Sequence, residues 1–229
     1  MKAVICAAGN GVRMRPFTDN VPKPLLMVRG KTLLDHLVSQ FPQEIDELII
    51  VTRYLAEKIE KHCGAEFHSR KVVYMRQPEG MNGTFAAVKI CESLIGQDEH
   101  FFVFYADDLM AKEPIAECLR HSSAIVAAEV QDPGRFGVLV VNTDGTLKGI
   151  MEKPEHPPTN LVLTNTMLLH ADIFHENPPV HANGERYLTD ALCAYAEKNP
   201  ITIVKTSRWL PIGYPEDLQK ADIFLSGIR

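Results

Sequence analysis

Several features that would place a sequence in a specialised class are scarce or missing here. There is no long uninterrupted apolar run, no signal segment and no low-complexity linker, which argues against a membrane protein. The five cysteines include no Cys-x-x-Cys pair, and their odd number argues against a metal or disulfide framework. We therefore expect a cytoplasmic protein whose cysteines are structural free thiols, at Cys6, Cys63, Cys91, Cys118 and Cys193.

Positive charge is also scarce. Lys and Arg number 24 against 29 for Asp and Glu, which gives a formal net charge of −5. This balance argues against an extended nucleic-acid surface, although it permits a local basic pocket. With 229 residues, of which 45% are apolar, the chain can bury a sizeable core.

Two common phosphate-binding motifs are missing as well. No Gly-Lys-Ser/Thr sequence occurs, which excludes a P-loop. The dinucleotide fingerprint needs a third glycine where Met14 stands, and it needs a helix that opens directly from the turn. Pro16, Pro22 and Pro24 instead keep the next stretch extended or irregular.

The most informative segment that is present joins an apolar run to a glycine turn. Residues 3–8 predict a buried strand, which Gly9 and Gly11 end. The two glycines allow a tight turn with positive φ and a close approach of backbone N–H groups to a ligand. Cations follow at Arg13 and Lys23 within one irregular segment. This combination predicts a polyphosphate-binding loop.

Along the rest of the chain, predicted strands alternate with predicted helices. Such an order implies βαβ crossovers, and it predicts a single-domain, three-layer α/β/α fold with a mainly parallel, twisted sheet. Strands are predicted at 47–52, 72–76, 101–106 and 124–130, helices at 32–41, 55–63, 84–95, 113–121, 188–199 and 215–226, and a hairpin at 137–151 that turns at Asp144-Gly145.

Two further loops follow predicted strands directly. Residues 77–84 come after the strand at 72–76, and Asp107 and Asp108 come after the strand at 101–106. Because ligands of open parallel sheets bind outside the carboxyl ends of the strands, we expect these loops to share one site with the glycine turn. Adjacent acids often serve as a turn or a helix cap, but beside a triphosphate a carboxylate suits Mg²⁺.

The glycine segment resembles the sugar-phosphate nucleotidylyltransferases. Their signature is Gly-x-Gly-x-Arg-Leu/Met-x-Pro-x-Thr-x-x-x-Pro-Lys-Pro, and Val12 stands where the family prefers Thr or Ser. The resemblance implies a Rossmann-like nucleotide-diphospho-sugar transferase (GT-A-like) fold, and a Mg²⁺-dependent reaction of an NTP with a sugar 1-phosphate that gives an NDP-sugar and pyrophosphate. The matching residues are Gly9, Gly11, Arg13, Met14, Pro16, Thr18, Pro22, Lys23 and Pro24.

The resemblance also implies three sets of site residues. The nucleotide-binding residues would be Ala8, Gly9, Gly11, Arg13, Gln77 and Gly83. The catalytic residues would be Arg13, Lys23 and Asp107, with Asp107 as the Mg²⁺ ligand. The sugar-phosphate-binding residues would be Glu152, Lys153, Asn165 and Glu185.

Within these sets, the resemblance implies a role for each charge. Arg13 would hold the leaving pyrophosphate, Lys23 the α-phosphate and Lys153 the attacking phosphate, with no covalent intermediate. Gln77 and Gly83 would read the base, and an amide suits UTP or dTTP because it can both donate and accept. No nucleic acid or membrane partner is implied, and the oligomeric state stays open.

Smaller expectations attach to three positions. Asn165 stands where the family has glycine, so a positive φ is expected there. Thr84 could cap a helix, and Asp108 is expected to be structural rather than a metal ligand. Thr189 and Asp190 are first of all a helix start.

The segment at 208–218 departs from the family most seriously. The family has Trp-x-Asp-x-Gly-x-Pro-Glu-Asp-Leu, and its aspartate is the second magnesium ligand, but Pro211 stands in that place here. Two other hypotheses stay open, one suggested by the Arg13-Met14 pair and the other by Pro211. One is a cytidylyltransferase acting on a phosphorylated alcohol such as choline phosphate or methylerythritol phosphate. The other is a nucleotide-sugar-binding protein without catalysis.

Overall fold

The computed structural model describes residues 1–227, which form helices around one large sheet. The strands are β1 Lys2–Cys6, β2 Met27–Val28, β3 Lys31–Thr32, β4 Glu47–Thr52, β5 Glu66–Phe67, β6 Arg70–Arg76, β7 His100–Tyr105, β8 Asp108–Met110, β9 Ala124–Glu129, β10 Gly137–Val141, β11 Leu147–Glu152, β12 Leu161–His170, β13 Thr202–Thr206 and β14 Trp209–Pro211. The helices are α1 Leu33–Val38, α2 Ala56–Cys63, α3 Thr84–Lys89, α4 Lys112–Cys118, α5 Leu188–Ala196 and α6 Asp217–Gly227.

The large sheet has ten strands and is mixed, with a parallel centre. Its main order is β11-β10-β12-β7-β1-β4-β6-β5, and β9 pairs with both β12 and β13. Strands β6, β4, β1 and β7 run parallel to one another, as the alternation of strands and helices predicts. The long strand β12 then runs antiparallel to β7, β9 and β10, and so joins the second half of the chain to the same sheet.

Alternating side chains of the central strands divide the core into two layers. On β1, Ile5 packs in the layer that contains α1, α2 and α4, whereas Val4 packs in the layer that contains α3 and α5. On β7, Phe104 and Val103 divide in the same way. Because successive strand residues point to opposite faces, both faces of a wholly apolar strand must be covered. The three-layer arrangement is confirmed.

The predicted elements are confirmed in kind, with shifted ends. The helix predicted over 84–95 ends at Lys89, and a short 3₁₀ turn at Glu92–Leu94 follows it. The hairpin is formed by β10 and β11, which pair in antiparallel register. All five cysteines are free, and Cys63, Cys91 and Cys118 are buried. Among the helices of residues 1–227, none has the length and apolar character needed to cross a membrane.

Asp35 links three elements on the α1 side of the sheet. Its carboxylate accepts the Thr32 backbone N–H at 3.1 Å, while the Thr32 hydroxyl oxygen accepts the Asp35 N–H at 3.0 Å, a reciprocal cap of α1. The same carboxylate contacts His62 Nε2 of α2 at 3.1 Å and His68 Nε2 of the β5–β6 turn at 3.0 Å. Burial raises the pKa of Asp35, but the hydrogen bonds from Thr32 and His68 outweigh burial and lower the pKa to about 2.

We expect Asp35→Asn to destabilise the fold at pH 7 by about 2 kcal/mol, since the ionised carboxylate is the stabilised form. A folded pKa below the ordinary 3.8 means that this contribution is complete above about pH 4 and fades as the pH falls toward 2. Urea unfolding at pH 7 and pH 3 measures both effects. The exposed Asp98→Asn should change neither value, and an equal loss in both variants would contradict the assigned role of Asp35.

Candidate active site

A cavity of about 380 Å³ opens at the carboxyl ends of β1, β4, β6 and β7. This is where an open parallel sheet places its ligands. The volume lies within the usual range of small-molecule sites. The cavity brings together most of the residues that the sequence assigns to a site, namely Ala8, Gly9, Gly11, Arg13, Lys23, Gln77, Gly83, Asp107 and Glu185.

The glycine turn forms one wall of the cavity. Gly11 has a φ of 61°, and a Cβ there would lie 3.0 Å from Thr18 Cγ2, so the turn requires glycine at this position. The Thr18 hydroxyl donates to the Gly11 carbonyl at 2.7 Å and fixes the turn. The expected positive φ of the turn is found at Gly11, whereas Gly9 does not have one. A Cβ at Gly9 would meet no atom within 4 Å, so this residue borders open space.

An ion pair between Lys23 and Asp107 stands at the centre of the cavity wall. Lys23 Nζ lies 2.6 Å from Asp107 Oδ2, and the two side chains are 11% and 33% exposed. The second oxygen, Asp107 Oδ1, is buried and has no hydrogen-bond partner within residues 1–227. Pro22, at a φ of −64°, leads directly into the 3₁₀ turn that carries Lys23. The second carboxylate oxygen of Asp107 is therefore unused within this ion pair.

Asp107 fits a magnesium ion by its chemistry. Carboxylate oxygen is a hard ligand, and Mg²⁺ commonly takes only one or two protein carboxylates, with water and phosphate oxygens completing its shell. In the part of the chain that the structure describes, no group of three or more His, Cys, Asp or Glu side chains could hold a metal. The residues present therefore fit an ion bound together with a phosphate, not a closed metal centre of protein ligands.

The neighbouring Asp108 does not line the cavity, and its side chain is buried and hydrogen-bonded within the protein. Its Oδ2 accepts hydrogen bonds from Trp209 Nε1 at 2.6 Å and from Asn165 Nδ2 at 2.9 Å. Burial, and then the charge of Asp107, raise the pKa of this carboxyl group. Asn165 lies within β12 without a positive φ, so that expectation is wrong, because the side chain serves as a donor to Asp108 inside the sheet.

Pro211 lies beside Asp107, where the family resemblance placed a metal ligand. Strand β14 pairs with β8 so that Pro211 is opposite Asp108, and the Ile212 N–H donates to the Asp107 carbonyl at 3.2 Å. The loop therefore has the geometry for a second carboxylate next to Asp107. Proline supplies none, so Asp107 is the carboxylate that lines the cavity on this side.

The loop at 77–84 forms the opposite wall. The buried Gln77 donates from Nε2 to the Met81 carbonyl at 2.7 Å and to the Gly83 carbonyl at 3.4 Å, so its amide shapes the loop as well as facing the cavity. Gly83 has a φ of 98°, and a Cβ there would lie 2.2 Å from the Arg186 carbonyl oxygen. This close backbone contact sets the segment that carries Glu185 against the cavity.

Three of the residues assigned to sugar-phosphate binding do not line the cavity. Glu152 and Lys153 lie at the end of β11 and contact each other at 3.4 Å, and Lys153 is 61% exposed. Asn165 is taken up by Asp108. Thr84 does not cap α3; its hydroxyl oxygen accepts the Leu188 N–H at 2.8 Å and so joins α3 to α5.

Thr189 and Asp190 lie in the first turn of α5, so the predicted helix start is confirmed, although neither residue caps the helix. The helix begins at Leu188 without a side-chain cap, and Asp190 contacts His181 Nε2 at 2.7 Å instead. The Thr189 hydroxyl is buried and has no hydrogen-bond partner within residues 1–227.

Sequence reasoning missed several cavity residues. Arg53 lines the cavity and donates to Asn82 Oδ1 at 3.0 Å. It follows β4 directly, so the strand-end rule that selected Asp107 could have found it. Tyr105, the last residue of β7, also lines the cavity, and burial raises the pKa of its hydroxyl group.

The sequence matches the nucleotidyl transferase family model over residues 2–226. This chain belongs to the nucleotidyl transferase family. The bifunctional protein GlmU of Methanocaldococcus jannaschii is 30% identical over 228 residues, which cover 98% of this chain and 54% of that protein. The UTP–glucose-1-phosphate uridylyltransferase AglF of Haloferax volcanii is 32% identical over 234 residues, which cover 97% of this chain and 95% of that protein. The chain thus spans about half of the GlmU protein.

Solved structures share the whole fold. A putative glucose-1-phosphate thymidylyltransferase from Bacillus anthracis, in complex with a sucrose, superposes with a TM-score of 0.89 at 25% identity and covers 100% of this chain and 96% of that one. A UDP-glucose pyrophosphorylase complexed with UDP-glucose superposes with a TM-score of 0.86 at 25% identity, covering 100% and 99%. The predicted nucleotidyltransferase fold is confirmed.

The close contact of Gly83 with Arg186 predicts that a larger residue at position 83 will destabilise the fold. Gly83→Ala should destabilise the fold by about 3 kcal/mol or more, because it adds a backbone clash to an unfavourable φ. Gly80→Ala is the matched control, since Gly80 also has a positive φ of 83° but a Cβ there meets nothing within 4 Å. It should cost about 1 kcal/mol. Equal losses in urea unfolding would show that the Arg186 contact does not constrain Gly83.

Proposed function

We propose that this nucleotidyl transferase joins UTP or dTTP to a sugar 1-phosphate and releases pyrophosphate, with residues 1–227 acting as one catalytic unit. The observation that carries the proposal is the Lys23–Asp107 pair beside the glycine turn, with one carboxylate oxygen unused. Two relatives support the sugar and base, since the Haloferax protein is named for UTP and glucose 1-phosphate and the Bacillus structure for thymidylyl transfer.

The proposed reaction is a direct displacement. A phosphate oxygen of the sugar 1-phosphate attacks the α-phosphorus in line, the bond to the β-phosphate oxygen breaks, and pyrophosphate leaves. Backbone N–H groups at Ala8, Gly9 and Gly11 bind the triphosphate, and Arg13 neutralises the charge that develops on the leaving group. Catalysis comes from position and charge, as is usual for phosphoryl-type transfer.

Lys23 and Asp107 contact each other in the free protein, and we infer that each binds a different partner when the substrate is present. In the free protein each charge satisfies the other at 2.6 Å. In the substrate complex Lys23 binds the α-phosphate, and Asp107 would hold Mg²⁺, which supplies charge neutralisation at the phosphates when it is bound. Both charges are then satisfied by the substrate side instead of by each other.

The acceptor side is formed by the opposite edge of the site. Lys153 binds the attacking phosphate, while Glu152 and Glu185 contact the sugar, and Asn165 supports this side indirectly through its hydrogen bond to Asp108. Glu185 already lines the cavity, and Lys153 is 61% exposed, with a long flexible side chain that can extend toward a ligand. Gln77 and Gly83 contact the base from the loop that they shape together.

Pro211 favours a second candidate function. A nucleotide-sugar-binding protein without catalysis needs no second metal ligand, and the position beside Asp107 has lost one relative to the family pattern. One screen separates the candidates: pyrophosphate release is measured for each NTP against hexose 1-phosphates and alcohol phosphates. Turnover of UTP or dTTP with a hexose 1-phosphate is expected. Turnover only of CTP with an alcohol phosphate contradicts the proposal, and tight NDP-sugar binding without any turnover supports the binding protein.

Lys23→Met should lower kcat/KM on the order of a hundredfold, because it removes a preorganised charge from the α-phosphate. Lys148→Met is the matched control, since Lys148 is an exposed lysine of β11 outside the cavity lining. Steady-state kinetics of both variants, with thermal unfolding to confirm folding, provide the test. A folded Lys23→Met variant with the turnover of the control would remove Lys23 from the mechanism.

Asp107→Asn should be almost inactive, whereas Pro211→Asp should lower the Mg²⁺ concentration that gives half-maximal rate. The first change removes the carboxylate ligand, and the second adds one where the backbone already lies beside Asp107. Magnesium titrations of the rate at saturating substrate measure both. If Asp107→Asn keeps wild-type magnesium dependence, another carboxylate holds the ion.

A further inference from the structure

Tyr214 holds two arginines at the rim of the cavity. The guanidinium carbon of Arg13 lies 5.4 Å from the ring centroid of Tyr214, and that of Arg135 lies 4.8 Å from it. Within residues 1–227, neither arginine has a carboxylate within 4.0 Å. Two unpaired cations from separate loops thus converge on one aromatic ring.

The backbone fixes the position of Tyr214. Asp217 Oδ2 accepts the N–H groups of both Gly213 and Tyr214, each at 2.9 Å. Gly213 itself lines the cavity. The ring is therefore presented at the cavity rim by a turn that a buried carboxylate holds in place.

The loop that carries Arg135 is fixed as well. A Cβ on Gly134 would lie 3.1 Å from the Pro154 carbonyl oxygen, so this turn packs closely on the segment after β11. Phe136 packs edge-on against Trp209 at 5.6 Å, and its carbonyl accepts the Lys153 N–H at 3.0 Å. Arg135 is exposed, but its backbone is anchored on both sides.

This arrangement is electrostatically incomplete without an anion. The ring face attracts each guanidinium only weakly at an exposed site, while the two positive charges repel each other. Both arginines also lower the pKa of the Tyr214 hydroxyl group, Arg13 more than Arg135. A guanidinium fork matches the oxygens of a phosphate, and two forks on one rim suit a group with several phosphate oxygens.

We propose that Arg135 is a second pyrophosphate-binding residue, and that Tyr214 is a positioning residue that holds Arg13 and Arg135 on the leaving pyrophosphate. The inference rests on the proposed function, in which Lys23 and Asp107 serve the α-phosphate. Arg13 lies next to them on the glycine turn, so the phosphates that reach Tyr214 are those beyond the α-phosphate. Neutralising them assists departure of the leaving group.

Binding of inorganic pyrophosphate in the presence of Mg²⁺, followed by calorimetry, tests the role of Arg135 without any turnover. Arg135→Met should weaken this binding about tenfold, as expected for a lost charged hydrogen bond. Arg120→Met, at an exposed arginine near the end of α4, should leave it unchanged. Unchanged pyrophosphate binding in Arg135→Met overturns the proposal. So does a variant that binds a sugar 1-phosphate more weakly but pyrophosphate as well as the wild type does. The second result would assign Arg135 to the acceptor phosphate.

The role of Tyr214 is tested by a mutant cycle, which compares the effect of Tyr214→Leu on pyrophosphate binding with and without the two arginines. Tyr214→Leu should weaken pyrophosphate binding about fivefold in the wild-type background and not at all when Arg13→Met and Arg135→Met are already present. Tyr214→Phe keeps the ring and should restore affinity to within about twofold of wild type. A Tyr214→Leu effect that persists in the double-arginine background would mean a structural role and overturn the positioning role. Because these titrations need no acceptor, a failed substrate screen and a failed pyrophosphate site give different results.

Discussion

The contact between Lys23 and Asp107 is the interaction on which the site depends. The two residues are 84 positions apart, and they meet because β1 and β7 are adjacent parallel strands with Cys6 opposite Tyr105. The parallel centre of the sheet therefore sets the glycine turn and the acidic loop side by side. An ion pair at 2.6 Å leaves little freedom in either loop, and the remaining carboxylate oxygen is presented in a fixed direction.

The glycine segment shows how a binding loop is made rigid by its own residues. Met14 and Thr18 are fully buried, and the Thr18 hydroxyl bonds to the Gly11 carbonyl. Tyr54 donates to the Thr18 carbonyl at 2.9 Å from the other side of the loop. Thr18 and Tyr54 hold the turn from outside the cavity lining, which leaves the exposed Arg13 to reach the cavity rim. Some residues of the family signature, such as Thr18, therefore stabilise the loop, while others, such as Arg13, face the cavity.

The sequence could predict local structure and the residues that stand at strand ends. Apolar runs indicated the strands, and the strand-end rule located Gln77 and Asp107 because each follows its strand closely. The backbone angle at Asn165 was predicted wrongly, since this residue lies within β12 and its side chain donates to Asp108, 57 positions away in the chain. The grouping of three loops at Tyr214 had no local signal at all, because no spacing within any one loop encodes it.

In the proposed function, a chain of net charge −5 binds a polyphosphate, and the local charge of the site is consistent with this. Arg13, Lys23 and Arg53 line the cavity, against the carboxylates of Asp107 and Glu185. With Pro211 in place of an acid, this balance stays positive beside Asp107, and we expect it to attract a triphosphate more strongly than a free divalent cation. In the proposed function, the metal therefore arrives with the nucleotide, whose oxygens supply the ligands that the protein lacks. The loss of one carboxylate would then change the order and strength of metal binding without removing the chemistry.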